Sequence, residues 1–277
     1  MGKTLFDLTR DLVVALGPYQ DGVATGGSTS TLVDSVELTQ DDDFWNGGTV
    51  WINYDAGGAG AAPQGEYSVV SDFTASSDTA SLRSTLTAAI GAGDRYTIAR
   101  KRYPLNVLVS KINEVLLSIP IEKTDTTTIT IAVDDTEYSL PSDVWDLKQV
   151  WIGDGADANN WQLLDDWRVQ KSATGTANVL IFGRQFATST DVKLVYLTYH
   201  QTLRVATDKL DDSIHADRVI YNAAVGCLLW RKAKVGESDS SLNELLNYFQ
   251  NLAAQMNSQF AVNYPRRAAK TIHLTMP

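Results

Sequence analysis

The chain of 277 residues holds one cysteine, Cys227, and three histidines. That excludes an internal disulfide and any zinc site built mainly from cysteine. No H-x-x-x-H pair occurs, and His200, His215 and His273 are far apart in sequence. Positive charge is scarce: 23 Lys and Arg stand against 33 Asp and Glu, for a net charge of −10. A broad nucleic-acid-binding face, which neutralises phosphates with Lys and Arg, is therefore not expected. Long apolar runs are missing too, and none approaches the roughly 20 residues that cross a bilayer. The first residues, MGKTLFDLTRDLVVALG, are broken by Asp7, Arg10 and Asp11, so no export signal is expected there. Phe6 stands where a myristoylation motif has Ser or Thr.

Motifs of catalysis and phosphate binding are also lacking. Gly26-Gly27 in GVATGGSTSTLVDS suggests a phosphate loop, but no Lys follows and the next residues have strand character. The pair is expected to be a turn opening a β module. In DGADANN, beginning at Asp154, Ala156 and Ala158 occupy positions where a calcium loop places oxygen ligands. Asp41-Asp42-Asp43 is expected to be an exposed turn. No serine has a nucleophile-elbow context. Asp165 and Asp166 are adjacent, and neighbouring strand residues face opposite ways, so they do not form a convergent carboxylate pair. Cys227 lies on an apolar helix stripe and reads as core. The expectation is a chain that is not an enzyme, with no cofactor and no metal.

Helical and strand periods, by contrast, are abundant. Residues 4–16 place Leu5, Leu8, Leu12 and Leu16 on one stripe before Gly17. Residues 104–119 open on Pro104 and repeat apolar residues at helical spacing up to Pro120. Residues 213–234 and 240–260 read as two further helices, joined near Gly236 as an antiparallel hairpin with Asp239 as N-cap. Between these segments the period changes to two. STLVDSVEL, GTVWINYD, GEYSVVSDF and DRYTIARK precede the second helix. TTTITIAV, DLKQVWIGD, NWQLLDDWRVQ, NVLIFGRQF and DVKLVYLTYH follow it.

The predicted fold is α+β: a four-helix bundle core with two inserted antiparallel β modules and an extended C-terminal tail. Residues 1–18, 101–122 and 210–262 make the bundle, 19–100 the first β module, 123–209 the second, and 263–277 the tail. The tail has three basic residues and no acidic one, too short a run to build a core. Its expected role is docking onto an acidic partner surface. The cluster Arg100-Lys101-Arg102-Tyr103 is the other basic spot.

One resemblance joins these features. TEYSLPSDVW, with Tyr138, Leu140 and Pro141, then Trp161 and Trp167, then a strand carrying Tyr196 and Tyr199, resembles the β insertion of tailed-bacteriophage head-to-tail connector (neck adaptor) proteins. The stretch from ATGGSTSTLVDS to GDRYTIARKRYPLNVLVSKINEVL is similar to the N-terminal β module of related virion proteins. The resemblance implies a structural protein of the virion neck, made in the host cytoplasm. It implies a ring of about twelve copies below the portal, joining capsid to tail. DNA would pass through the lumen without specific binding, and no membrane is involved. It also implies that the tail docks on the portal through Tyr264, Arg266, Arg267, Lys270, Ile272 and Leu274, while the β modules meet a downstream neck or tail protein. The alternative is a receptor- or carbohydrate-binding virion protein with Trp45, Trp51 or Trp161 as stacking platforms. A third reading is a glycan-cleaving enzyme using Asp165, Asp166 or Glu137.

Overall fold

A computed structural model describes residues 2–154, 160–171, 178–188, 190–235 and 240–260. They divide into two compact units, Met1–Leu117 with Gln201–Ala261, and Ser118–His200.

The first unit begins with helix α1, Leu5–Leu16. Thr4 and Asp7 form its capping box, each side chain bonding the other's backbone N–H, which satisfies donors that a helix start leaves open. The Gly17 N–H closes the other end on the Val13 carbonyl. Seven strands follow in one antiparallel sheet: β1 (Tyr19–Val23), β2 (Gly26–Gly27), β3 (Thr31–Val33), β4 (Thr49–Tyr54), β5 (Tyr67–Thr74), β6 (Thr79–Leu82) and β7 (Arg95–Ala99). Their spatial order is β1-β7-β4-β5-β6-β3-β2. One face buries Leu32, Val50, Val70, Phe73, Ile90 and Ile98 in a single apolar cluster. Helix α2, Leu105–Leu116, starts from Pro104 as its N-cap. After the second unit the chain returns with α3, Ala216–Val235, and α4, Ser240–Gln259. These two are antiparallel: Arg218 and Asn222 near the start of α3 bond Asn257 near the end of α4, and Lys232 bonds Asn243.

The second unit carries β8 (Pro120–Asp125), β9 (Glu137–Ser139), β10 (Asp146–Asp154), β11 (Trp161–Leu164), β12 (Trp167–Gln170), β13 (Val179–Phe182) and β14 (Thr190–Tyr199). They form a four-stranded sheet, β11-β10-β14-β8, and a three-stranded sheet, β12-β13-β9, with every pairing antiparallel. Its core contains Tyr138, Val150, Leu164, Leu180, Phe182, Val192 and Leu194.

The expected four-helix bundle core is not what forms. The described residues build three antiparallel sheets with 14 strands beside four helices, and the four helices do not make a common core. Helices α1, α2 and α3 pack on one another, whereas the principal helix partner of α4 is α3. The reason lies in α1, which buries Leu5, Phe6, Leu8, Thr9, Leu12, Val13 and Leu16. That is more than one stripe. Part of it meets the outer face of the sheet, where Trp51 Nε1 donates to Thr9 Oγ1 at 3.0 Å and Phe6 stacks on Tyr67. An apolar stripe demands an apolar partner, worth about 1.5–3 kcal/mol for each fully buried Leu, but does not say whether that partner is helix or sheet.

Two strand expectations also shift. Gly26-Gly27 does not open the module; it is the short strand β2, paired with Leu32 and Val33. A side chain at Gly27 would meet the Thr31 carbonyl, and its φ of +156° suits glycine. STLVDSVEL is strand only over Thr31–Val33, because Asp34 then turns the chain by accepting the N–H groups of Val36 and Glu37.

Candidate interaction surface

The tail residues Tyr264, Arg266, Arg267, Lys270, Ile272 and Leu274 lie outside the described residues, as do His273 and most of DGADANN.

The aromatic platforms are occupied. Trp51 is 0% exposed and bonded to α1; Trp45 is 3% exposed and donates to Gln40 Oε1 at 2.8 Å. Neither can stack on a sugar. Trp161 is half-buried, and the Lys193 ammonium sits over its ring at 4.7 Å and over the Trp151 ring at 4.9 Å. Asp165 and Asp166 stand exposed in the connection between β11 and β12, and Glu137 is exposed on β9. Asp42 and Asp43 serve the turn they sit in: Asp42 accepts the Ala75 N–H and Asp43 accepts from Asn46. Among the described residues no cluster of His, Cys, Asp and Glu could hold a metal. Cys227 is buried in α3, and that burial pushes its thiol up to about 12, so it is no nucleophile near neutral pH. In the basic cluster, the Arg100 guanidinium lies over the Phe44 ring at 4.2 Å, and Tyr103 is buried with Arg231 above it. His215 stacks on Phe260.

What the sequence did not point to is a groove on the first unit. It has a volume of about 840 Å³ and opens along β1, between the end of α1 and the turn at Val36. Its lining includes Val14, Tyr19, Asp21, Val23, Val36 and Asn53. Strand β1 is an edge: β7 is its sole strand partner among the described residues. Its exposed row is Tyr19, Asp21 and Val23, while Gly22 turns inward beneath the Tyr96 ring, which any side chain there would strike. At the base, Asn53 Nδ2 donates to Thr97 Oγ1 at 2.8 Å and Thr97 Oγ1 donates to Asp21 Oδ1 at 2.5 Å. Asn53 Oδ1 is buried and has no donor. Four apolar side chains around this groove, Val14, Tyr19, Val23 and Val36, are exposed, Val36 to 67%. The arrangement has no paired acid and base. It offers an open backbone edge and an apolar rim, which is equipment for binding an extended chain.

The β1 strand was legible only as the alternation Tyr19, Asp21, Val23, which is too short and polar to stand out. Its inward position is a glycine, so no apolar inner row marks it.

Residues 77–272 match the SU10 adaptor protein family. The chain belongs to that family. No curated protein matches it. The match runs from the turn before β6 through the whole second unit and the α3–α4 hairpin into the tail. The family is one of phage adaptors, so this adaptor is a structural component of the virion that associates with other phage structural proteins. Among the described residues no helix is long and apolar enough to cross a membrane. Most of the groove lining, from Arg10 to Asn53, precedes the matched span; Arg95, Tyr96 and Thr97 fall within it.

Proposed function

We propose that the adaptor forms a ring below the portal, joins capsid to tail, and lets the genome pass through its lumen. The observation that carries this is the family match over both compact units. The net charge of −10 supports it, since an acidic wall repels DNA and leaves it free to slide. The portal contact falls to the start of the tail. Tyr264, Arg266 and Arg267 come soon after α4 in sequence, in a segment with no acidic residue, and meet an acidic portal surface. The β modules face the downstream neck or tail protein.

The test reverses that charge. Arg266→Glu with Arg267→Glu is expected to abolish attachment to portal-bearing capsids while leaving the free energy of unfolding within about 0.5 kcal/mol of the parent, as for other surface substitutions. Attachment is read by electron microscopy of purified particles. Full attachment by the double variant would rule out this portal contact.

A further inference from the structure

The remaining tail residues have a receptor within the ring itself. We propose that residues 268–274 of one copy add as an antiparallel strand to β1 of the next copy and fill its groove. The proposal rests on the ring reading for its geometry but not for its chemistry.

Three observations select this occupant. The groove presents a strand edge that is unpaired among the described residues, with exposed Val14, Tyr19, Val23 and Val36 beside it, and apolar side chains gathered around one cavity call for a cover. The tail has the matching pattern: Ile272 and Leu274 alternate with Thr271, His273 and Thr275, so a strand here carries both apolar residues on one face. The charges are complementary as well. Arg10 is paired with Asp11, and Arg95 lies over the Tyr54 ring, whereas Asp21 and Glu37 form no ion pair among the described residues. The groove is therefore short of cations where the tail brings Lys270 and no acid.

An antiparallel register that sets Lys270 against Asp21 also sets Ile272 against Tyr19 and Ala268 against Val23, with Leu274 continuing toward Val14 at the end of α1. The eight residues from 261 to 268 reach about 26 Å when extended, enough to leave one copy for a neighbour. A strand handed from each copy to the next is a heterologous contact, the kind that closes a ring.

The experiment uses the full chain with Tyr19→Cys and Ile272→Cys; the native Cys227 is buried. Mild oxidation is expected to give a ladder of dimers and larger species on a non-reducing gel, which neither single variant gives. A cross-linked monomer without a ladder would overturn the second-copy occupant. Rings of the unmodified chain seen by native mass spectrometry, with no cross-link in the double variant, would overturn the strand addition and leave the ring reading standing. If the chain forms no ring with portal present, the ring reading fails and the groove is judged by peptide binding. There, a labelled peptide of residues 264–277 is titrated into full-length chain carrying Ile272→Asp and Leu274→Asp. Asp21→Lys in that chain should weaken binding about tenfold, and a peptide with Lys270→Asp should recover it. Equal binding by the Asp21→Lys chain, or no recovery by the swapped peptide, would sink the assignment.

Discussion

Trp51→Ala lowers the stability of the first unit by roughly 5 kcal/mol, the largest single effect expected in this chain. Trp51 is fully buried on β4, opposite Tyr67 on β5 and Thr97 on β7. Its ring fills the space between the sheet and α1, and its Nε1 is tied to Thr9 Oγ1. Thr9 in turn can donate to the Leu5 or Phe6 carbonyl, so the contact anchors the first turns of α1. Removing the ring leaves a cavity that a sheet and a helix cannot both close, because interiors are close-packed and relax only in part. Trp51→Phe keeps most of the apolar volume and loses the hydrogen bond, so it should cost about 1–2 kcal/mol. Urea unfolding followed by near-ultraviolet circular dichroism measures both. A cost for Trp51→Ala below that of Trp51→Phe would refute the packing argument. The core of the second unit is a separate cluster, so a change confined to it, such as Leu180→Ala, should add to Trp51→Ala without coupling.

Asp34→Ala comes next, with an expected loss of about 3–4 kcal/mol. Asp34 is fully buried, yet all its bonds are made: Oδ1 accepts from the Val36 and Glu37 N–H groups, and Oδ2 accepts from the Tyr96 hydroxyl at 2.7 Å. Alanine strands three donors at once, which costs more than the bonds were worth. The partner carries a pH signature. Burial, then the bond to Asp34 and the negative charges of Asp34 and Glu37, push the Tyr96 hydroxyl well above its ordinary value of 10. A raised value in the folded state means that this stability is whole below pH 10, where folded and unfolded chains both hold the proton. Above it the unfolded chain releases the proton first, and stability falls. Burial pushes Tyr103 and Tyr196 up to about 12 as well, so the alkaline limb has several contributors. Tyr96→Phe should therefore lower stability near neutral pH and make the decline above pH 10 shallower. Urea midpoints across that range decide it: an equally steep decline in Tyr96→Phe would remove Tyr96 from the account.

Much of the organisation was legible in residues read one after another. Leu5, Leu8, Leu12 and Leu16 recur at helical spacing, and α1 follows them with Thr4 as its cap. The spacing of Leu242, Leu246 and Phe249 likewise lies on the buried face of α4. Thr, Val, Tyr and Trp alternations marked β4, β5, β7, β10 and β14. The phrases around Tyr138, Trp161 and Tyr196 carried the family resemblance, and those positions lie in the matched span. The groove was not legible. Val14 looked like one more apolar residue of a helix, Val36 like part of a strand, and Tyr19 and Val23 fell in the first β module outside any of its strand phrases. They belong together only because β1 folds back to the edge beside β7, more than seventy residues downstream. The tryptophans fall mostly inside strand patterns, which favours core packing over stacking platforms, and Trp45 and Trp51 are buried.

The sequence by itself determined where the chain is helical, where it is extended, that its charge is acidic, and which family it joins. Those properties are local or additive: they follow from the period of side chains along the backbone, from residue counts and from matched phrases. The tertiary structure decided what each apolar face packs against. It set α1 against α2 and α3 and, through Thr9 and Phe6, also against Trp51 and Tyr67 of a seven-stranded sheet, sealed Trp45 and Trp51 inside, and left β1 with one strand partner among the described residues. Burial free energy is non-directional, so a stripe of leucines is satisfied equally by helix or sheet. The choice between them depends on long-range contacts that no window of sequence contains.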